Sequence, residues 1–340
     1  MEAVTTQVTD KASRYLPDLR YSAAVESPPH YGIIPLSEWT GNKLVADDVG
    51  LYLSNGEGRS PFLFTDWSRS QLLSLLGTKE RWFRTVSLGQ QVAELNMRLH
   101  ALEPYRIRLE RAAGGGDHDI HYVRGIVSKQ YAEITDVHVM EQLTRGLKAP
   151  VYALAKYTKQ TDRASYAYLL SNDSISVTGG QGVLPGILVK NSEVGYTSLW
   201  VHLFLFFQKT GHIAVRKAPL LRRIHRGSVA DLHKQFAEAQ ESAAGLWEDI
   251  QSKLAILEFA AVASEDAALR RMEVLCSNAG APRSYTLRCV QHYKAAGHQV
   301  HTALKIFESV AAVAAKEGAG NLDQAHINHI VAGAVLFSLL

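Results

Sequence analysis

The stretch "SLWVHLFLFFQKTGHIAVRKAPLLRRIHRG", residues 198–227, marks the point where the chain changes its structural class. Its first ten residues form one of the most apolar runs of the chain, which is typical of a strand buried inside a sheet. The sixteen residues after Gly211 carry five arginines and lysines and no carboxylate. Beyond Gly227 the apolar residues take up helical spacing. We therefore predict a sheet before this stretch and helices after it.

The helical side of the boundary begins with one long pattern. Apolar residues recur at steps of three and four, which predicts an amphipathic helix of about 30 residues. They are Leu232, Phe236, Ala239, Ala243, Leu246, Ile250, Leu254, Leu257 and Ala261. Shorter helical patterns follow, with a break expected near Gly297. We predict that residues 228–340 form a helical C-terminal region.

The segment before the boundary alternates strand and helix patterns. "YRIRLER" and "HYVRGIV" show the period of two that predicts strands, and "TDVHVMEQL" predicts a short capped helix between later strands. Residues 61–227 are therefore predicted to form an α+β core, with a mainly antiparallel sheet and crossing helices. Residues 1–60, punctuated by prolines and glycines, are predicted to be an irregular N-terminal segment.

Composition sets broad limits on the class of protein. The chain has 340 residues, of which 46% are hydrophobic and 20% charged, with a net charge of +3. Two cysteines are too few for a disulfide framework and suit a reducing compartment. No apolar run reaches the roughly 20 residues that a membrane-spanning helix needs. We predict a cytoplasmic protein without a membrane partner.

Two short motifs resemble those of a known family. The first has the pattern R-x-x-x-S-x-x-Y, carried here by Arg124, Ser128 and Tyr131. The second is the segment N-S-E-x-G at residues 191–195. Together with the order of the flanking segments over about residues 60–320, they resemble a phage- and plasmid-associated family of unknown function. The resemblance implies a mobile genetic element, where replication and recombination of DNA are common tasks.

The chain departs from this family after the apolar run. Many relatives carry Cys-x-Asn-Gly there, whereas this chain has "FFQKTGHIAV". The family has no assigned chemistry, so the resemblance implies a context and leaves the mechanism open.

The basic segment, defined here as residues 212–227, is the strongest functional signal. Seven lysines or arginines and one aspartate lie between Lys209 and Lys234, a net charge of +6. Such a cluster favours phosphate binding, because each contact releases condensed counterions. The predicted nucleic-acid-binding residues are Arg216, Lys217, Arg222, Arg223 and Arg226. The alternative is a solvated loop whose arginines pair with Glu238, Glu241 or Asp249.

Aromatic residues of the predicted sheet supply a second group of candidates. Tyr157, Tyr166 and Tyr168 are interleaved with cations that include Lys190. Exposed aromatic rings beside positive charge form a stacking platform for single-stranded bases. The alternative is that these rings belong to the core, because aromatic residues are good strand formers.

Two further polar groups are candidates for a site. Glu193 borders the apolar strand, and a buried carboxylate needs a partner, for which we predict Arg124 in a structural polar pair. The turn that contains Asp117, His118, Asp119 and His121 offers metal-ligand types. A hairpin tip rarely encloses an ion, so we predict no metal there. No nucleotide-binding or nucleophile motif occurs in the sequence, so we predict no cofactor and no catalytic residue.

The leading hypothesis is a non-catalytic DNA-binding protein of a phage or plasmid. It would bind or anneal single strands as a homo-oligomer, and its predicted outline resembles the annealing recombinases of phages. One alternative is a protein-interaction or structural component of the mobile element with no nucleic-acid affinity. Another is an enzyme with a site near residues 114–125 and 191–195.

Overall fold

The computed structural model describes most of the chain in ordered elements. The described residues are 33–35, 43–46, 51–54, 62–83, 85–99, 106–111, 121–128, 130–146, 152–153, 159–160, 163–170, 175–177, 181–257, 259–318 and 321–340. They form two β-sheets and nine α-helices, and one helical group ends the chain. The predicted α+β class with mainly antiparallel strands and a helical C-terminal region is confirmed.

The first sheet contains six strands in the order β1-β5-β6-β4-β3-β2. They are β1 (Ile33–Pro35), β2 (Lys43–Ala46), β3 (Leu51–Ser54), β4 (Phe62–Phe64), β5 (Arg106–Arg111) and β6 (His121–Val127). Between β4 and β5 lie α1 (Asp66–Leu75), α2 (Glu80–Phe83) and α3 (Leu88–Leu99). Of its described strand pairs, only β4 with β6 is parallel.

The boundary predicted at residue 60 does not separate an irregular segment from the core. β1 pairs with β5, and β3 pairs with β4, so residues on both sides of the boundary share one sheet. The runs "IIP", "KLVA" and "LYLS" are rich in strand-forming residues. They are too short for a clear periodic signal beside the flanking prolines and glycines, and tertiary pairing stabilises them.

The second sheet contains eight strands, and all of its described pairs are antiparallel. They are β7 (Tyr152–Ala153), β8 (Lys159–Gln160), β9 (Ser165–Leu170), β10 (Ile175–Val177), β11 (Gln181–Asn191), β12 (Leu199–Phe207), β13 (His212–Val215) and β14 (Leu221–Arg223). β13 and β14 both pair with the same strand, β12, and together they flank it on the side away from β11. The basic segment therefore runs along one side of the most apolar strand.

β12 is apolar apart from His202 because both of its faces are covered. Leu203, Leu205 and Phe207 pack in a cluster with the C-terminal helices. Phe204 and Phe206 point the other way and pack with aromatic residues of β9. A strand buried on both faces loses the alternation of polar and apolar residues, which explains the continuous run in the sequence.

The remaining helices complete the two layers. α4 (Asp136–Gly146) precedes the second sheet, and α5 (Leu232–Leu257), α6 (Glu265–Ala279), α7 (Arg283–Ala295), α8 (Ala303–Glu317) and α9 (Leu322–Leu339) follow it. The predicted long helix and the predicted break near Gly297 are confirmed. One detail differs, since Trp247 lies on the buried stripe of α5 and Leu246 only borders it. No helix in the described ranges is both long and apolar enough to cross a membrane.

α9 crosses the border of the second sheet at β13. Ala325, in its first half, packs in the cluster that contains Phe204, whereas Val335, in its second half, packs in the cluster that contains Leu205. The crossing point is Gly333, where an added Cβ would lie 1.8 Å from the Val215 carbonyl oxygen. Only glycine allows the helix and the strand backbones to approach so closely.

Candidate nucleic-acid interface and the polar clasp beneath it

The structure divides the five predicted basic residues into two groups. Lys217, Arg222 and Arg226 are exposed. Arg216 and Arg223 are partly buried, and their guanidinium groups donate to the carbonyl oxygens of Ala218 at 3.2 Å and Ser228 at 2.5 Å. The first group is free to meet a ligand, and the second helps to shape the loops around it.

None of the five basic residues forms an ion pair with a carboxylate of the described ranges. Two acids of α5 that were candidate partners bond within their own helix instead. Glu238 lies 3.8 Å from Lys234, and Asp249 lies 2.7 Å from Lys253. The charge of the basic segment is therefore not neutralised by the helix that follows it.

Arg222 belongs to a row of residues that crosses the sheet. Arg222 in β14 pairs with Trp200 in β12, and Trp200 pairs on its other side with Lys190 in β11. Lys190 in turn pairs with Tyr166 in β9. The Arg222 guanidinium carbon is 4.5 Å from the centre of the Trp200 ring. That stacking orients the guanidinium group while leaving the residue exposed.

Two of the predicted stacking residues are core residues, and their prediction was wrong. Tyr166 is 2% exposed and Tyr168 is 1% exposed, because α9 covers this face of the sheet. The Tyr166 hydroxyl donates to Asp323, and the Tyr168 hydroxyl lies 3.1 Å from Nδ1 of His329. Neither ring can stack on a base. Tyr157, the third candidate, lies outside the described residues.

Lys190 is also unsuited to phosphate binding as it stands. Its Nζ lies 3.3 Å from Asp323 and 4.9 Å from the centre of the Tyr166 ring. Burial lowers the pKa of Lys190, although Asp323 opposes that shift. The carboxylate already occupies the position that a phosphate would take.

A buried cluster of polar groups, here called the polar clasp, lies beneath the basic segment. It comprises Arg124, Asp136, Asn191, Glu193 and His225. Arg124 and Glu193 are 5% and 8% exposed, and Nη1 lies 3.9 Å from Oε2, so the predicted pair is present. Oε1 of Glu193 also accepts the backbone N–H of Asp136 at 2.8 Å. Glu193 thereby tethers the first turn of α4.

Asn191 is the centre of the polar clasp. Its Nδ2 donates to the Ile134 carbonyl oxygen at 2.9 Å and to Oδ1 of Asp136 at 2.7 Å. Its Oδ1 lies 3.0 Å from Nε2 of His225. Burial of the carboxyl group, with Glu193 nearby, raises the pKa of Asp136 to about 6. One amide therefore connects β11, α4 and the basic segment.

The two family-like motifs meet at this cluster. The Tyr131 hydroxyl donates to the Ser192 carbonyl oxygen at 2.7 Å, and the Tyr131 ring stacks on His225. Gly195, with a φ of +75°, turns the chain back toward β12 in a conformation that favours glycine. These contacts bring the two motifs together in the fold.

The polar clasp is suited to holding segments together rather than to chemistry. Both oxygens of Asp136 already accept bonds, from Asn191 and from Ser165. The Ser192 hydroxyl donates to the Arg163 carbonyl oxygen. The catalytic alternative included residues 114–120, which lie outside the described residues. No group of three or more possible metal ligands occurs within the described ranges.

Two buried histidines lie between the second sheet and α9. His202 is 2% exposed and His326 is 6% exposed. Nε2 of His202 and Nδ1 of His326 have no hydrogen-bond partner among the described residues. Burial lowers the pKa of His202, and burial followed by the nearby Lys190 lowers the pKa of His326 to about 3. Both imidazoles are therefore neutral near pH 7.

We expect these histidines to make the fold acid-sensitive. In the unfolded chain an imidazole takes up a proton near pH 6.5, whereas folded His326 resists protonation down to about pH 3. The unfolding free energy should therefore fall as pH drops from 6.5 toward 4, by a few kcal/mol. Urea unfolding at pH 7, 5.5 and 4.5 measures this slope.

The matched pair of variants separates titration from packing. His326→Leu should flatten the slope, whereas Tyr285→Phe removes a buried hydroxyl that donates to the Val310 carbonyl oxygen and should leave the slope unchanged. An equal slope in His326→Leu and the wild type would contradict the assignment.

Sequence reasoning missed several members of the site. Trp200 is not among the sequence candidates, because only the strand register places it under Arg222. His225 is not among the predicted binding residues, although it is 6% exposed and its Nε2 lies 3.0 Å from Oδ1 of Asn191. Asp136 falls within the predicted short helix and is not predicted as a site residue. The sequence signal that could have found these residues is the N-S-E-x-G motif that begins at Asn191. A buried polar side chain in that motif needs hydrogen-bonding partners from elsewhere in the chain.

Comparison of the chain with protein-family models, with curated proteins and with solved structures finds no match. The resemblance to the phage and plasmid family therefore stays a prediction that rests on the two motifs.

Proposed function

We propose that this protein binds nucleic acid through the exposed cations of the basic segment, with single-stranded DNA as the favoured ligand. The observation that carries the proposal is the lack of any carboxylate partner, among the described residues, for Arg216, Lys217, Arg222, Arg223 and Arg226. Unneutralised guanidinium groups on a fixed strand are suited to phosphate, which they bind through charge-assisted hydrogen bonds.

The stacked arrangement of Arg222 supports a single strand over a duplex. The guanidinium group of Arg222 lies over Trp200 and remains exposed. An unpaired base can stack on a guanidinium plane, whereas the bases of a duplex already stack on each other. The edge of the stacked Arg222 guanidinium group can also donate to a backbone phosphate. Lys217 and Arg226 lie on either side of β14 in sequence and would contact neighbouring phosphates.

The proposal includes a homo-oligomer on a mobile genetic element, where the family resemblance would place an annealing protein. A few phosphate contacts per copy bind weakly, and neighbouring copies on one strand add avidity. Large apolar side chains are exposed in the helical region, including Ile256 at 65%, Phe259 at 67% and Val300 at 61%. They are candidate contacts between copies.

The test is fluorescence anisotropy with a labelled single strand of about 40 nucleotides and with its duplex, across a salt series. We expect the wild type to bind the single strand more tightly, with affinity falling steeply as salt rises. Arg222→Ala/Arg226→Ala should weaken binding about tenfold or more and reduce the magnitude of the salt slope by about 1.4, because two phosphate contacts are lost.

A charge-matched control excludes a general effect of net charge. Lys234→Ala/Lys253→Ala also removes two positive charges, but each lysine is paired with a carboxylate of its own helix. That variant should bind like the wild type. Absence of wild-type binding at low salt would refute the proposal and favour a protein partner for the basic segment.

A further inference from the structure

The part of the basic segment that follows β14 contains one residue that is turned inward. His225 is 6% exposed, whereas Ile224 on one side is 53% exposed and Arg226 on the other is also exposed. The N–H of Arg226 donates to the Ile224 carbonyl oxygen at 2.8 Å, which closes a three-residue turn centred on His225. The turn directs the imidazole into the polar clasp and leaves its neighbours at the surface.

Three contacts hold His225 in place. Nε2 lies 3.0 Å from Oδ1 of Asn191, and the His225 carbonyl oxygen accepts the N–H of Ala132 at 2.9 Å. The imidazole also stacks on Tyr131, with ring centres 5.0 Å apart and planes 4° from parallel. The contacts come from two segments distant in sequence, residues 131–132 and Asn191, so the position of this turn is fixed by the tertiary structure.

The direction of the side-chain hydrogen bond can be assigned. Both Nδ2 contacts of Asn191 are to oxygens that accept, those of Ile134 and Asp136. The remaining amide oxygen of Asn191 can only accept, so Nε2 of His225 must be the donor. A glutamine at this position also has a side-chain N–H to donate, whereas an alanine has none.

The anchored turn lies between the two exposed arginines of the proposed interface. Arg222 is in β14, a strand of three residues that pairs with β12 over Leu199–Val201. Arg226 forms an isolated bridge with Tyr131. Because β14 is so short, its strand pairing does not fix the position of the residues that follow it. The contacts of His225 fix that position instead.

We propose that His225 and its partner Asn191 are positioning residues for nucleic-acid binding, because they fix the turn that sets Arg222 and Arg226 relative to each other. The inference rests on the proposed function of the basic segment. Binding to a preorganised surface avoids the entropy cost of ordering flexible arginines. Loss of the anchor should therefore weaken binding although both arginines remain.

The test compares His225→Ala with His225→Gln in the full-length protein, using the same single strand and salt series. We expect His225→Ala to weaken binding about tenfold and to lower the salt slope, because two ordered phosphate contacts become transient. His225→Gln should restore most of the affinity, because it keeps the donor to Asn191. Tyr168→Phe loses a buried hydroxyl contact away from the segment and should bind like the wild type.

Limited trypsin digestion reports the position of the turn without nucleic acid. We expect faster cleavage after Arg222, Arg223 or Arg226 in His225→Ala, and wild-type rates in His225→Gln. Wild-type affinity and salt slope in His225→Ala would overturn the inference while leaving the proposed function intact. No binding by the wild type would overturn both, and unchanged cleavage would show separately that His225 does not anchor the turn.

Discussion

Gly333→Ala should destabilise the protein by about 2 kcal/mol or more, although alanine is the better helix former. The new methyl carbon would lie 1.8 Å from the Val215 carbonyl oxygen and 2.4 Å from its carbonyl carbon. Both atoms belong to the backbone of β13, so no side-chain rotation can relieve the overlap. α9 or β13 must move, and the cores on both faces of the sheet must repack. Urea unfolding at pH 7 measures the loss.

The matched control is a glycine in the middle of α5. Gly245 is exposed, and an added Cβ there would have no atom within 4 Å beyond its own helix. Gly245→Ala should therefore stabilise the protein by about 0.5–1 kcal/mol, which is the ordinary helix propensity difference. Equal effects of the two substitutions would show that α9 does not contact β13 as closely as described.

Much of the architecture could be predicted because two elements have strong periodic signals. β12 is a long apolar run and α5 repeats its buried residues through seven turns, so both stand out in a single sequence. β1–β3 were not predicted as parts of the sheet because each spans three or four residues, too few for a period to emerge. Their stability comes from partners distant in sequence, which local patterns do not encode.

The candidate site divides in the same way. Charge is visible in a sequence, so Lys217, Arg222 and Arg226 could be selected without a structure. Exposure is not visible, and the covering of Tyr166 and Tyr168 by α9 is a contact across about 160 residues. Arg124 and Glu193 could be paired by reasoning, because a buried carboxylate requires a cation. The inward turn of His225 depends on backbone geometry that charge counting does not detect.

Removal of the Glu193 carboxylate is expected to destabilise the protein more than Gly333→Ala does. Glu193→Ala should cost about 3–5 kcal/mol, because Arg124 stays buried after losing a carboxylate and the first turn of α4 loses an acceptor. The exposed pair Lys234–Glu238 supplies the comparison, since Glu238→Ala should cost less than about 1 kcal/mol. A small cost at Glu193 would mean that the contact with Arg124 contributes little.

Glu193→Gln separates charge from hydrogen bonding within the polar clasp. The amide oxygen can still accept the N–H of Asp136, but the negative charge that helps raise the pKa of Asp136 to about 6 is gone. In the wild type this raised pKa makes the folded state bind a proton before the unfolded chain does. Asp136 therefore adds stability as pH falls from about 6 toward 3.8, opposing the loss caused by the buried histidines.

In Glu193→Gln the pKa of Asp136 should fall, and the gain from Asp136 below pH 6 should shrink. The unfolding free energy of the variant should then fall more steeply than that of the wild type between pH 6 and 4. The double variant Glu193→Gln/His326→Leu should show a shallower fall than the single variant Glu193→Gln. Urea unfolding of the single and double variants at four pH values measures both slopes. A pH profile parallel to that of the wild type would show that the negative charge of Glu193 does not raise the pKa of Asp136.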